Sequence, residues 1–188
     1  MICSSCGKGT LSPKLSNKPY LIVKQDITQV ELDTGSLFVQ KGKNKWGYEH
    51  NTTSYYLNKE LGSFGLQLSQ FNQTALYMHQ LPKSKKTKED KEILQGCIDF
   101  SIQEVVKLAQ GKKIILLMGS ECVKVFTGYS ASEVYGLNVA PSEYFPEVPV
   151  IIPCTNSDKL LNMPIGELRV SLKSLAEHIK TYEVYQKI

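Results

Sequence analysis

The chain has 188 residues, 41% hydrophobic and 21% charged, which is long enough to bury its own core and too ordinary in composition for a disordered or fibrous protein. No apolar run reaches the ~18 residues of a membrane span, and Met1-Ile2-Cys3-Ser4-Ser5-Cys6 lacks a signal peptide's basic-then-apolar pattern, so a single cytoplasmic domain with no membrane partner is expected. The net charge of +4 permits nucleic-acid binding without requiring it, and the odd count of five cysteines argues against a disulfide framework.

Residues 1–18 are polar, with Gly7, Gly9 and Pro13, and read as an arm without regular structure that carries the Cys3-x-x-Cys6 pair. That spacing suits a metal better than a structural bridge. Pro19 precedes a first strand over residues 20–24. A long polar loop is expected from residue 25 to about 51, holding Asp26, Glu31, Asp33, Phe38, His50, and Lys41, Lys43 and Lys45 beside Trp46. Tyr56, Leu57, Leu61 and Phe64 have helical spacing and predict a helix over 55–68, weakened by Gly62 and Gly65.

A second strand is expected over 74–78, running into His79-Gln80-Leu81-Pro82 and then Lys83, Lys85, Lys86 and Lys88. The helix over 87–109 has the strongest local signal. Thr87 and Asp90 form a capping box, Ile93, Leu94, Cys97, Ile98, Ile102 and Val105 make the apolar stripe, and Gly111 ends it. Residues 113–118 are a continuous apolar run, as a central parallel strand should be. Gly119-Ser120-Glu121 follows, with Ser120 expected to cap a helix running through Phe126, and Ser130-Ala131-Ser132-Glu133 is a second capping box. A fourth strand over 148–154 runs into Thr155-Asn156-Ser157-Asp158 and a final helix over 165–180.

This alternation of strand and helix predicts an α/β fold, a three-layer αβα sandwich around a four-stranded, mostly parallel sheet with helices on both faces. Four turns then gather at the strands' carboxyl ends: Lys24-Gln25-Asp26, His79-Gln80-Leu81-Pro82, Gly119-Ser120-Glu121 and Cys154-Thr155-Asn156-Ser157-Asp158. Ligands meet open parallel sheets at that edge, so the site is expected there.

Three stretches in this order and spacing carry a resemblance: Ser36-Leu37-Phe38-Val39-Gln40-Lys41-Gly42, then Ile114-Ile115-Leu116-Leu117-Met118-Gly119-Ser120-Glu121 through Phe126-Thr127-Gly128, then residues 151–161 from Ile151 to Leu161. The chain resembles the uracil-DNA glycosylases of family four, the iron–sulfur type, and their phage relatives. The resemblance implies that Phe38 stands where the family's aromatic stacks on the extruded base. It places Lys24-Gln25-Asp26-Ile27-Thr28 at the family's Gly-Glu-Ala-Pro-Gly turn, making Asp26 the candidate catalytic carboxylate. The family's uracil-reading Asn falls near Ala75. Its His-Pro becomes Asn156-Ser157, so Asn156 is the candidate base-binding and catalytic residue. A neutral Asn can donate a hydrogen bond to the leaving base but offers no positive charge as anionic character grows there.

The resemblance also implies a DNA-facing set, Lys83, Lys85, Lys86, Ser120, Ser157 and Lys159, and a metal site built from an N-terminal Cys pair, a residue after the second strand and a Cys in the next helix. Here those positions hold Cys3, Cys6, His79 and Cys97. Three thiolates and one imidazole are a standard tetrahedral zinc set, whereas iron–sulfur clusters mostly use four thiolates. A structural zinc ion is therefore favoured, with an iron–sulfur cluster as the alternative. Cys122 reads as core. Cys154 would be a nucleophile only with a base in reach.

The expectation that follows is a DNA-binding protein with the glycosylase fold and impaired uracil chemistry. It would serve as a replication or repair accessory with a replication protein as possible partner, since some viral relatives act as polymerase processivity partners. One alternative is an active base-excision enzyme with altered base specificity, in which Asp26, Glu31 or Asp33 orients water. Another is a protein-interaction module that presents the Trp46 loop and Tyr182-Glu183-Val184-Tyr185.

Overall fold

Three of the strands are nearly unbroken apolar runs, and the reason is that both faces of their sheet are covered. The computed structural model describes residues 2–43, 46–80, 87–155 and 166–186. Its elements are β1 (Tyr20–Lys24), α1 (Gln29–Thr34), β2 (Lys41–Lys43), β3 (Glu49–Asn51), α2 (Thr53–Ser63), β4 (Asn72–Ala75), α3 (Lys88–Ala109), β5 (Ile114–Met118), α4 (Ser120–Thr127), α5 (Ala131–Val134), β6 (Val150–Cys154) and α6 (Gly166–Tyr185). The main sheet has four strands in the order β4-β1-β5-β6, and every neighbouring pair is parallel.

Strand residues alternate between the two faces. Tyr20, Ile22, Ile114, Leu116 and Ile152 pack with Leu57 and Leu61 of α2 and Leu168, Leu172 and Leu175 of α6. Leu21, Val23, Ile115, Leu117 and Ile151 pack on the other side with Val105 of α3 and Val123 and Phe126 of α4. The fold is thus the expected three-layer αβα sandwich. Among the described residues no helix is long and apolar enough to cross a membrane.

Several local expectations change. The stretch read as a long polar loop contains α1 and a β2–β3 hairpin. The helix starts at a capping box, Thr28 with Glu31, and the hairpin strands are three residues each, too short to show alternation. Helix α2 stops at Ser63, with Gly65 beyond it at φ +77°, and α6 runs on to Tyr185. Ser120 does not cap α4; it is the first residue inside, and Gly119 stands at the cap. The capping boxes at Thr87 and Ser130 form as expected.

The second strand's ladder runs over Asn72–Ala75, and Asn72, Gln73 and Thr74 are polar yet buried. They are buried because the N-terminal arm lies along the outer edge of β4. Lys14 and Gln73 exchange backbone bonds of 3.0 and 2.7 Å, and the Leu11 N–H donates to the Met78 carbonyl at 2.8 Å. A sheet edge exposes unpaired backbone groups, and the arm satisfies them.

The strand order places the crossover reversal between β1 and β5, so the crevice at their carboxyl ends is the topological switch point. Gln25 bridges it, its Oε1 accepting from the Glu121 N–H at 3.0 Å. Gly119 faces the same place at φ +106°, and a Cβ there would stand 2.7 Å from Gln25 Cβ and Oε1. Gly119→Ala should therefore lower unfolding stability by about 1–3 kcal/mol, read by denaturant titration. A change within error would show that the crevice can yield.

Candidate metal centre

The N-terminal arm begins with a tight turn. The Gly7 N–H donates to the Cys3 carbonyl at 2.8 Å and the Cys3 N–H to the Lys8 carbonyl at 2.9 Å. Gly7 has φ +69°, which glycine adopts at no steric cost. The turn docks on α3 at Gly96, where a Cβ would come 2.4 Å from Ser5 Oγ. A glycine inside a helix costs ~1 kcal/mol against Ala, and this close approach is the reason for it. Cys97, the next residue, then lies directly under the turn.

His79 follows β4 and is buried. Its Nδ1 lies 3.0 Å from the Gln80 carbonyl. A carbonyl can only accept, so Nδ1 donates there and Nε2 is the ring nitrogen turned toward the thiols. Nε2 faces Cys6 Sγ at 3.9 Å, and Cys3 Sγ is 3.7 Å from Cys97 Sγ. The ligand atoms of Cys3, Cys6, His79 and Cys97 all lie within 4.8 Å of one another and can hold a metal ion. Fixing one ring nitrogen by a backbone carbonyl is the usual support for a ligating histidine.

The thiols are electrostatically unequal. Burial pushes Cys3 up, but hydrogen bonds from the Ser5 and Cys6 backbone and from the His79 and Cys6 side chains outweigh it and bring its pKa to about 7. Cys97 is pushed up to about 12, first by burial and then by the neighbouring Cys6 and Cys3. Crowded thiols resist sharing negative charge unless a cation sits among them, so the donor set fits a metal.

The other site residues divide. Asp26 is exposed at the end of β1 and accepts from Gln25 Nε2 at 3.1 Å. Phe38 is buried in the core at φ +51°, and its N–H donates to Glu31 Oε1 at 2.5 Å. Lys24 Nζ lies 5.1 Å from the Phe38 ring centroid and forms a buried ion pair with Glu31. Glu31 Oε2 also accepts from Thr28 N at 2.8 Å and Thr28 Oγ1 at 3.0 Å. Sequence reasoning missed this pair, although a lysine closing an apolar strand and the Thr28-x-x-Glu31 spacing were both visible.

Ala75 is fully buried at the end of β4. The only Asn of that strand, Asn72, donates to the Lys18 and Tyr20 carbonyls at 2.8 and 2.9 Å, so its amide is taken up by structure. Ser120 lines a recess of about 380 Å³ together with Lys124, Ser130, Ser132 and Thr155. Cys154 is fully buried and its thiol is pushed up to about 12 by burial, and Cys122 is pushed up the same way, so neither presents a thiolate. Lys83, Lys85, Lys86, Asn156, Ser157 and Lys159 lie outside the described residues. No known protein-family model matches this chain, and no curated protein is significantly similar to it.

Proposed function

We propose that this chain is a DNA-binding protein on a uracil-DNA-glycosylase-like scaffold, impaired in uracil excision, with its N-terminal arm held by a structural zinc ion. The observation that carries the reading is the convergence of Cys3, Cys6, His79 and Cys97 to within 4.8 Å from three distant stretches of chain, the set the resemblance implies. Zinc is favoured over an iron–sulfur cluster by compactness. Zn–S bonds of about 2.3 Å give a tetrahedral edge of about 3.8 Å, against 3.7 Å between Cys3 and Cys97 Sγ. A cluster interposes irons and sulfides and spreads its thiolates farther. Four protein ligands close the coordination shell, which suits a structural ion and not a catalytic one.

Impairment follows from what occupies the base site. A base stacking on Phe38 would have to displace the Lys24 ammonium, which is held by Glu31 in a buried pair. Asn156 in place of His removes positive charge from the leaving-group side. DNA affinity would come from Lys83, Lys85, Lys86 and Lys159 meeting phosphates, with Ser120 and Ser157 as hydrogen-bond donors. A protein of this kind suits an accessory role in replication or repair, with a replication protein as partner.

The test combines a glycosylase assay on uracil-containing oligonucleotides with binding at two salt concentrations. No abasic sites should form. Affinity should fall about 100-fold between about 50 and 200 mM salt if three or four lysines neutralise phosphates. Clean excision would remove the impairment, and no binding at low salt would remove the DNA. One zinc per colourless chain is the expected metal content, whereas visible absorbance with iron would reverse the choice of metal.

A further inference from the structure

The β2–β3 hairpin is an anchored base with an aromatic tip. Lys41 pairs with Asn51, Gly42 with His50 and Lys43 with Glu49. Alternation puts Gly42 and His50 on one face, and that face packs on α1, because a Cβ on Gly42 would stand 2.9 Å from Val30 Cγ2. Lys41 and Lys43 share the other face and are exposed. Thr52 closes the base, its N–H donating to the Gln40 carbonyl at 3.1 Å and its hydroxyl to the Val39 carbonyl. Through Phe38 and Glu31 the base is tied to Lys24, the last residue of β1. The hairpin therefore stands at the carboxyl edge of the sheet. Beyond the paired residues, Trp46 is 70% and Tyr48 71% exposed.

We infer that this hairpin is a stacking element for single-stranded DNA, with Trp46 and Tyr48 taking unpaired bases and Lys41 and Lys43 the backbone. The inference rests on the proposed DNA binding and names the strand state that it serves. Exposed aromatic rings among cations form the usual platform for single strands, because every unpaired base offers a π-face while a duplex keeps its faces stacked. Residues 41–50 hold three lysines against one glutamate. A protein-binding hot spot is instead depleted of charge at its centre.

Trp46 is the only tryptophan in the chain, so tryptophan emission reports on the hairpin tip directly. The full-length protein is titrated at low salt with a fluorescein-labelled oligothymidylate, following strand anisotropy and tryptophan emission together. Emission should be quenched in step with binding, and a duplex of equal length should quench it much less. Trp46→Ala and Tyr48→Ala should each weaken single-strand binding on the order of 10-fold or more, with the melting temperature unchanged because the tip is exposed; Trp46→Phe should retain most of the affinity. If the strand binds with unquenched emission and both alanine variants bind as the parent does, this inference fails while DNA binding stands. Equal quenching by the duplex overturns the single-strand preference. No anisotropy change with any DNA removes the DNA-binding reading itself, and this inference with it.

Discussion

Stripping the proposed zinc ion with a chelator should lower the melting temperature by roughly 8–16 °C and open residues 1–18 to proteolysis. An ion that binds only the folded chain stabilises it by about 4 kcal/mol at 1,000 times its dissociation constant. For a domain of this size each kcal/mol moves the midpoint by about 2–4 °C. The damage should start in the arm, because Cys3 and Cys6 tie it to α3 and to the segment after β4, leaving mainly the Lys14–Gln73 and Leu11–Met78 backbone bonds without the ion. Cys97→Ser should reproduce most of the loss. Cys122→Ser is the control: that thiol is equally buried but lies outside the cluster, near the Val23 carbonyl at 3.7 Å. Chelated protein with an unchanged midpoint and a protease-resistant arm would refute a structural metal.

Glu31→Gln should cost about 3–5 kcal/mol in denaturant unfolding. Glutamine keeps the shape and can still accept from the Phe38 N–H, but it leaves the Lys24 ammonium buried without its counter-charge. Lys24 and Glu31 are only 6% and 1% exposed, so solvent screens the pair poorly. Pairing the change with Lys24→Met removes the stranded charge, and the double variant should lose clearly less than the sum of the single losses. Additive losses would mean that the ion pair is not a unit. Glu31→Gln should also loosen the segment leading to the hairpin, lowering the emission anisotropy of Trp46. The pair thus has two consequences: it fills the space over Phe38, and it anchors the hairpin.

The elements that were legible are those whose signal is local and repeated. In α3 a long apolar stripe, a capping box at Thr87 and a terminal glycine all agree, and the helix forms over Lys88–Ala109 with that cap. In β5 a short unbroken apolar run reads by its length as a strand covered on both faces, and it forms over Ile114–Met118 with every residue buried. The hairpin and α1 were not legible, because three to six residues carry too little periodicity to stand out from a polar loop. The arm's irregular path was legible, since among the described residues no helix or strand forms before Tyr20, but where it docks was not. Its residues are polar and irregular, and what orders them is the edge of β4, which lies outside the arm's own sequence.

The sequence by itself determined the layer architecture, the chain order of the four main-sheet strands and the longer helices, and, through the resemblance, which cysteines and which histidine form a set. Each of these depends on residue types within a short window or at matching positions along the chain. Only the tertiary structure decided which strands are neighbours, that the arm closes the sheet edge, that Gly96 admits the Cys3–Cys6 turn onto α3, and that Lys24 lies over Phe38. Those facts depend on contacts between residues far apart in the chain or on the direction of a single side chain, and packing chooses among alternatives that local propensity leaves equal in energy.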